Sequence, residues 1–133
     1  IKAGVTELLM FLKTNGYMTA LASSSDRAIV EKELRSADIY KYFDKIICGD
    51  QVTHSKPDPE IFLKAVSALK SQKRESMVIE DSYNGLQAAV SAGVTAVMVP
   101  DMLPPTEELI SAGVRVFPNL LSVKIALKEN KIK

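Results

Sequence analysis

Three groups of polar residues, each placed behind a short apolar run, hold most of the chemistry open to this chain. Glu80 and Asp81 follow Met77, Val78 and Ile79, and a helical pattern begins at once with Leu86, Ala89, Val90 and Gly93 on one face. Two adjacent carboxylates at the tip of a buried strand repel each other and are poorly hydrated. Asp81 or Ser82 could cap the helix, accepting from free N–H groups at its positive dipole end. Capping accounts for one acid. Two acids suit a bound divalent cation such as magnesium, which prefers hard oxygen ligands.

The second group is Ser23, Ser24 and Ser25, followed by Asp26 and Arg27, between a strand-like run and a helix. Hydroxyls and N–H groups at a helix start form an anion site, and a serine-rich cap with nothing bound is the plainer alternative. The third is Lys56, which precedes Pro57 and is therefore biased to extended backbone that aims it away from the following helix. A lysine held there could offer a point charge to a phosphoryl group, although most lysines only solubilise a surface. Asp50 reads as a turn residue. His54, the single histidine, has no Cys or His partner at ligand spacing and reads as a solvent-facing loop residue.

These groups meet only if the elements between them alternate in the right way. Val5, Leu8, Leu9, Phe11 and Leu12 predict a helix stopped by Asn15-Gly16, and residues 17–22 a strand. A helix follows from Asp26 as cap, then a strand over 45–48. Pro59 is expected at the first position of the next helix, with Asp58 as cap and Ile61, Phe62, Ala65, Val66 and Leu69 inward. Strands over 76–80 and 94–99, a helix begun by Pro104-Pro105, a weaker strand over 114–117 and a helix over 119–128 complete the pattern. The last residues read as a fraying, solvated end. Strands alternating with helices, each strand a continuous apolar run, predict an α/β fold with a parallel sheet covered on both faces. In such sheets ligands collect at the carboxyl ends of the strands, where all three polar groups fall. Together they supply hydroxyl donors, a cation and paired acids, as a phosphate with a magnesium ion requires.

Composition narrows the classes. The chain has 133 residues, 47% apolar and 25% charged, which suits one globular domain over 1–133. Lys plus Arg total 17 against 16 for Asp plus Glu, a net charge of +1, so no field draws nucleic acid or a membrane surface. No apolar run approaches the ~18 residues of a membrane span. The amphipathic start is unlike a secretory signal, and the chain begins on Ile1 rather than Met, so either residues were removed or it is a segment of something longer. Cys48, the lone cysteine, reads as a small core residue compatible with a reducing, cytoplasmic setting.

The ordered strings LASSS (21–25), SKPDPEIF (55–62) and IEDSYNG (79–85), at spacings of 33 (56 − 23) and 25 (81 − 56), resemble the haloacid dehalogenase-like superfamily. The resemblance is nearest to its β-phosphoglucomutase-like branch of phosphatases and phosphohexomutases, and it runs from about residue 4 to residue 100. It implies a three-layer Rossmann-like core. The Ser23 hydroxyl and the Ser24 N–H then hold a phosphoryl group, and Ser25 and Arg27 line the substrate side. Lys56 neutralises phosphoryl and nucleophile charge, and Glu80 with Asp81 holds magnesium. Turnover in that family proceeds through an aspartyl-phosphate on the first acid of an Asp-x-Asp motif.

No Asp-x-Asp occurs in this sequence. The resemblance therefore implies the C-terminal part of such a core, without its nucleophile strand and without the cap domain that selects a substrate. The expected activity is magnesium-dependent phosphoryl transfer or hydrolysis on a small phosphorylated metabolite, such as a sugar phosphate. It requires the upstream strand and cap, and open strand edges favour self-association of the isolated chain. A non-catalytic phosphate-binding module is the alternative. A receiver-like signalling domain conflicts with the motif order.

Overall fold

The computed structural model describes residues 2–132. In chain order the main elements are α1 (Val5–Thr14), β1 (Ala20–Ala22), α2 (Arg27–Ser36), β2 (Lys45–Ile47) and α3 (Glu60–Ala68). They continue as β3 (Met77–Glu80), α4 (Tyr83–Ala92), β4 (Thr95–Met98), α5 (Glu107–Ser111), β5 (Arg115–Val116) and α6 (Leu120–Lys128). All strand pairs are parallel, as the alternation of strands and helices predicts. They form two pieces of sheet, β1-β2 and β3-β4-β5, with no ladder between β1 and β3 among the described residues.

The two-residue period of a strand sorts side chains to opposite faces. On β4, Ala96 and Met98 enter the core under α3, α4 and α5, while Val97 and Val99 enter the core under α1 and α6. Likewise Ile47 of β2 joins the first core, while Ile46 and Cys48 pack with Val30 and Leu34 of α2. The result is three layers. Helix α1 straddles the break in the sheet from behind, with Leu8 in the α6 core and Leu9 in the α2 core. On the opposite face one core runs across both pieces, from Ile47 to Met98.

Several boundaries differ from expectation, each for a local reason. Strand β1 begins at Ala20 rather than 17, because the Thr19 N–H donates to the Asp44 carboxylate at 2.8 Å. That carboxyl lies below its usual range, chiefly through the hydrogen bond from Lys13. Strand β2 stops before Cys48, whose N–H donates to Gln51 Oε1 at 2.8 Å as the chain turns. Asp26 precedes α2 without a side-chain capping bond, and Asp50 serves instead, accepting from the Arg27 N–H at 3.3 Å. Asp58 does cap, taking the Glu60 N–H at 2.9 Å, but Pro59 stands just before the helix. Helix α5 starts after Thr106 rather than at Pro104-Pro105, since the Thr106 hydroxyl accepts the Leu109 N–H. Up to residue 132 the last segment is held rather than fraying: Lys131 N–H returns to the Ala126 carbonyl at 2.8 Å and Ile132 is buried.

The break between β1 and β3 has a cost. The Ser23 N–H donates to Ile47, and the Val99 N–H to Glu80. By alternation, the backbone polar groups of Ala20 and Ala22 turn away from β2, and those of Met77 and Ile79 turn away from β4. All residues of β1 and β3 are only half-buried, unlike Ala96, Val97 and Met98 of β4. These edges offer unpaired groups to another strand. We expect the amides of residues 20, 22, 77 and 79 to exchange with solvent much faster than those of 96–98, and the isolated chain to self-associate. Hydrogen exchange and sedimentation test this. A monomer with uniformly protected strands contradicts it.

Candidate active site

Strands β1 and β3 end at residues held by one lysine. Lys56 Nζ donates to Glu80 Oε2 at 2.8 Å and to the Ala22 carbonyl at 3.2 Å, thereby spanning the break in the sheet. Both charged side chains are nearly enclosed, at 11% and 14% exposure, and the ammonium also lies 5.1 Å from the Phe62 ring centroid. Burial pushes the Glu80 carboxyl up, but the Lys56 charge and hydrogen bonds from Lys56, Ser82 and Asp81 outweigh it, leaving Glu80 below its ordinary value. Its other oxygen, Oε1, accepts from the Asp81 N–H, the Ser82 N–H and the Ser82 hydroxyl. Ser82 also caps α4 through the Gly85 N–H, so the capping role falls to Ser82 and not Asp81.

Two glycines make these approaches possible. A Cβ on Gly85 would stand 2.2 Å from Glu80 Cδ, and one on Gly49 would stand 2.1 Å from the Ser24 carbonyl oxygen. Gly85 thus admits the Glu80 carboxylate against the first turn of α4. Gly49 lets the end of β2 touch the serine loop, where its N–H donates to the Ser25 carbonyl at 2.9 Å. Close backbone approach of this kind is the reason for glycine at such positions. A string search finds the glycines but not what they touch.

In the serine loop, Ser23 Oγ accepts from the Ser25 N–H at 3.2 Å, while the Ser24 N–H has no partner among the described residues. Ser24 and Ser25 are exposed. Ser23 directly follows Ala22, whose carbonyl Lys56 holds. Arg27 directs its guanidinium toward β2 and the loop after it. Its guanidinium donates to the Ile46 carbonyl at 2.9 Å and to Gln51, and pairs with Glu31 at 3.1 Å, bracing α2 against β2. Its guanidinium is thus engaged by protein groups.

Glu80 and Asp81 diverge. Asp81 turns outward, 43% exposed, with its Oδ2 3.7 Å from the ammonium of Lys2. Lys2 and Asp101, which the motif reading passed over, stand beside it. They carry no local signal, because their proximity depends on the chain folding back before α1 and after β4. His54 is exposed as expected, yet it has a carboxylate neighbour, with Nδ1 3.4 Å from Glu60 Oε1. Glu60 is held by the Thr53 and His54 N–H groups and by Lys64, which lower its carboxyl to about 2. Cys48 is fully buried as a core residue, and burial pushes its thiol up.

The profile of the family described as haloacid dehalogenase-like hydrolase matches residues 1–99. The chain belongs to that family. Against a phosphorylated carbohydrates phosphatase of Thermotoga maritima this haloacid dehalogenase-like chain is 40% identical over 111 residues, 83% of its own length and 51% of the relative's. Identity to a bifunctional riboflavin kinase/FMN phosphatase of Arabidopsis thaliana is 36%, over 92% of this chain and 32% of that protein. A Thermotoga maritima crystal structure, described as a candidate beta-phosphoglucomutase, superposes with a TM-score of 0.87 at 37% identity, covering 96% of this chain and 59% of that one. The haloacid dehalogenase-like chain spans about half the length of the curated relatives it matches.

The buried pair yields a stability test. Breaking one side of such a pair leaves an uncompensated charge, so Glu80→Gln should cost about 3 kcal/mol at neutral pH. A carboxyl lowered from 4.5 contributes fully above that value and loses its contribution as pH falls through the folded value. The difference between wild type and Glu80→Gln should therefore shrink below pH 4.5. Urea unfolding across pH measures it, and a pH-independent difference contradicts the assignment. Gly85→Ala should lose about 1–3 kcal/mol by overpacking against the same carboxylate. A neutral Gly85→Ala would show that Glu80 is not seated there.

Proposed function

We propose that this chain is the phosphate- and metal-holding part of a magnesium-dependent enzyme that transfers or hydrolyses the phosphoryl group of a small phosphorylated metabolite, such as a sugar phosphate. One observation carries the reading: a nearly buried ammonium, Lys56, joins the ends of β1 and β3 directly beside the serine loop. In this reading the Ser23 hydroxyl and the Ser24 N–H orient phosphoryl oxygens, with Ser25 at the rim. Lys56 offsets their charge. The family relation and a phosphatase relative at 40% identity support it.

The donor set near Asp81 fits magnesium in part. Asp81 is an all-oxygen, half-open ligand whose only cationic neighbour among the described residues, Lys2, is too far for a hydrogen bond. Asp81 would hold the ion directly. Glu80 joins the ligation only if one of its present donors leaves, and its first task is to keep Lys56 in place. When bound, a magnesium ion lends positive charge to the phosphoryl oxygens.

The covalent step needs an aspartate that accepts the phosphoryl group, and the proposal assigns it to an Asp-x-Asp segment outside these residues. Three aspartates here are otherwise engaged: Asp50 caps α2, Asp58 caps α3, and Asp81 faces the cation side. The same outside strand satisfies the open edges of β1 and β3.

Phosphate release from sugar phosphates or p-nitrophenyl phosphate with magnesium tests the reading. In the complete protein, Asp81→Ala should remove turnover, a loss of several kcal/mol in transition-state stabilisation, whereas His54→Ala should keep it nearly intact. Residues 1–133 alone should show none. Near-normal turnover in Asp81→Ala overturns the site. Turnover by residues 1–133 that disappears in Lys56→Ala shows that the nucleophile lies within the chain.

A further inference from the structure

Lys2 lies just before α1, and its ammonium stands 3.7 Å from Asp81 Oδ2 and 3.9 Å from Asp101 Oδ1. Asp81 follows the end of β3, and Asp101 comes shortly after β4, the neighbouring strand. Two acids from adjacent strand ends therefore converge on one cation. The lysine is the least exposed of the three, at 28% against 43% and 65% for the acids. Both separations exceed hydrogen-bond length, so charge alone holds the ammonium. Its backbone is anchored, because the Val5 N–H donates to the Lys2 carbonyl at 3.3 Å. The side chain can leave while the main chain stays.

We propose that Lys2 is an internal counter-cation for Asp81 and Asp101 that opposes a divalent ion there, so that residue 2 sets the metal affinity of the site. This rests on Asp81 as the metal ligand. An ammonium beside a carboxylate opposes a divalent ion that binds the same group, since like charges a few ångströms apart repel. With the ammonium in place the two acids are partly neutralised and the ion is opposed. Swung outward, the ammonium leaves two oxygen donors to the metal. The device lowers affinity and keeps the acids from repelling each other when no metal is bound. Both acids are exposed, so the competition is screened by salt.

Mn2+ is the probe, titrated into residues 1–133 with free Mn2+ followed by electron paramagnetic resonance and heat by calorimetry. Lys2→Gln should bind Mn2+ about three- to tenfold more tightly than wild type at low salt. That gain should fade near ~0.5 M KCl, where screening acts over only about 4 Å. Lys2→Arg, which keeps the charge, should bind like wild type, and Asp81→Asn should lose most binding. Urea unfolding checks that each variant is folded. If Asp81→Asn loses binding but Lys2→Gln binds no more tightly than wild type, the counter-cation role is overturned and the Asp81 assignment stands. If Asp81→Asn binds Mn2+ as wild type does, both fall together.

Discussion

The Lys56–Glu80 pair is the constraint on which the rest of this structure turns. It joins the tips of two strands that share no hydrogen-bond ladder, in a setting where both groups are nearly withdrawn from water. A buried pair of this kind is a poor source of net stability, because desolvating two ions consumes most of what their attraction returns. Its value is positional. Glu80 needs Lys56 to remain charged at its depth, and Lys56 needs Glu80 and the Ala22 carbonyl to stay at the sheet break. The supporting features follow from that demand: Ser82 donates to Glu80, Gly85 makes room for it, and Phe62 covers the ammonium.

The paired acids illustrate how far a sequence speaks. Their adjacency at a strand end signalled chemistry, and a shared cation was a reasonable answer to their repulsion. The fold gives a different answer for one of them. Alternation sends neighbouring side chains to opposite directions, so Glu80 meets a lysine while Asp81 meets solvent and Lys2. Spacing along a chain could not show this, because Lys56 and Glu80 stand 24 positions apart in sequence. Arg27 shows the reverse case. It stands in the expected motif, yet its guanidinium meets Ile46, Gln51 and Glu31, which the motif does not name.

The layers and parallel strands were readable because apolar periodicity decides them, and burial enforces it along every strand. Boundaries were less so. Some were moved by a polar side chain from a distant loop, such as Asp44 at Thr19, and others by one a few residues away, such as Thr106 at Leu109. A sheet in two pieces is also beyond periodicity, since a strand reads the same whether one neighbour is present or two.

The donor geometry of Lys56 ties the break in the sheet to the proposed chemistry. An ammonium has three N–H donors. Two are committed, to the Ala22 carbonyl and to Glu80 Oε2, and the Phe62 ring lies beside the ammonium. One donor remains. The two committed bonds fix the direction of the third, whereas a surface lysine would have to be ordered anew by each ligand. Ala22 is also the residue before Ser23, so the carbonyl that fixes the ammonium and the hydroxyl that begins the serine loop share one backbone segment. A strand entering between β1 and β3 and parallel to both would bring its own carboxyl end to the same ammonium. The break in the sheet and the free donor at its tip are thus complementary, one open to a backbone and the other to the charge that backbone delivers.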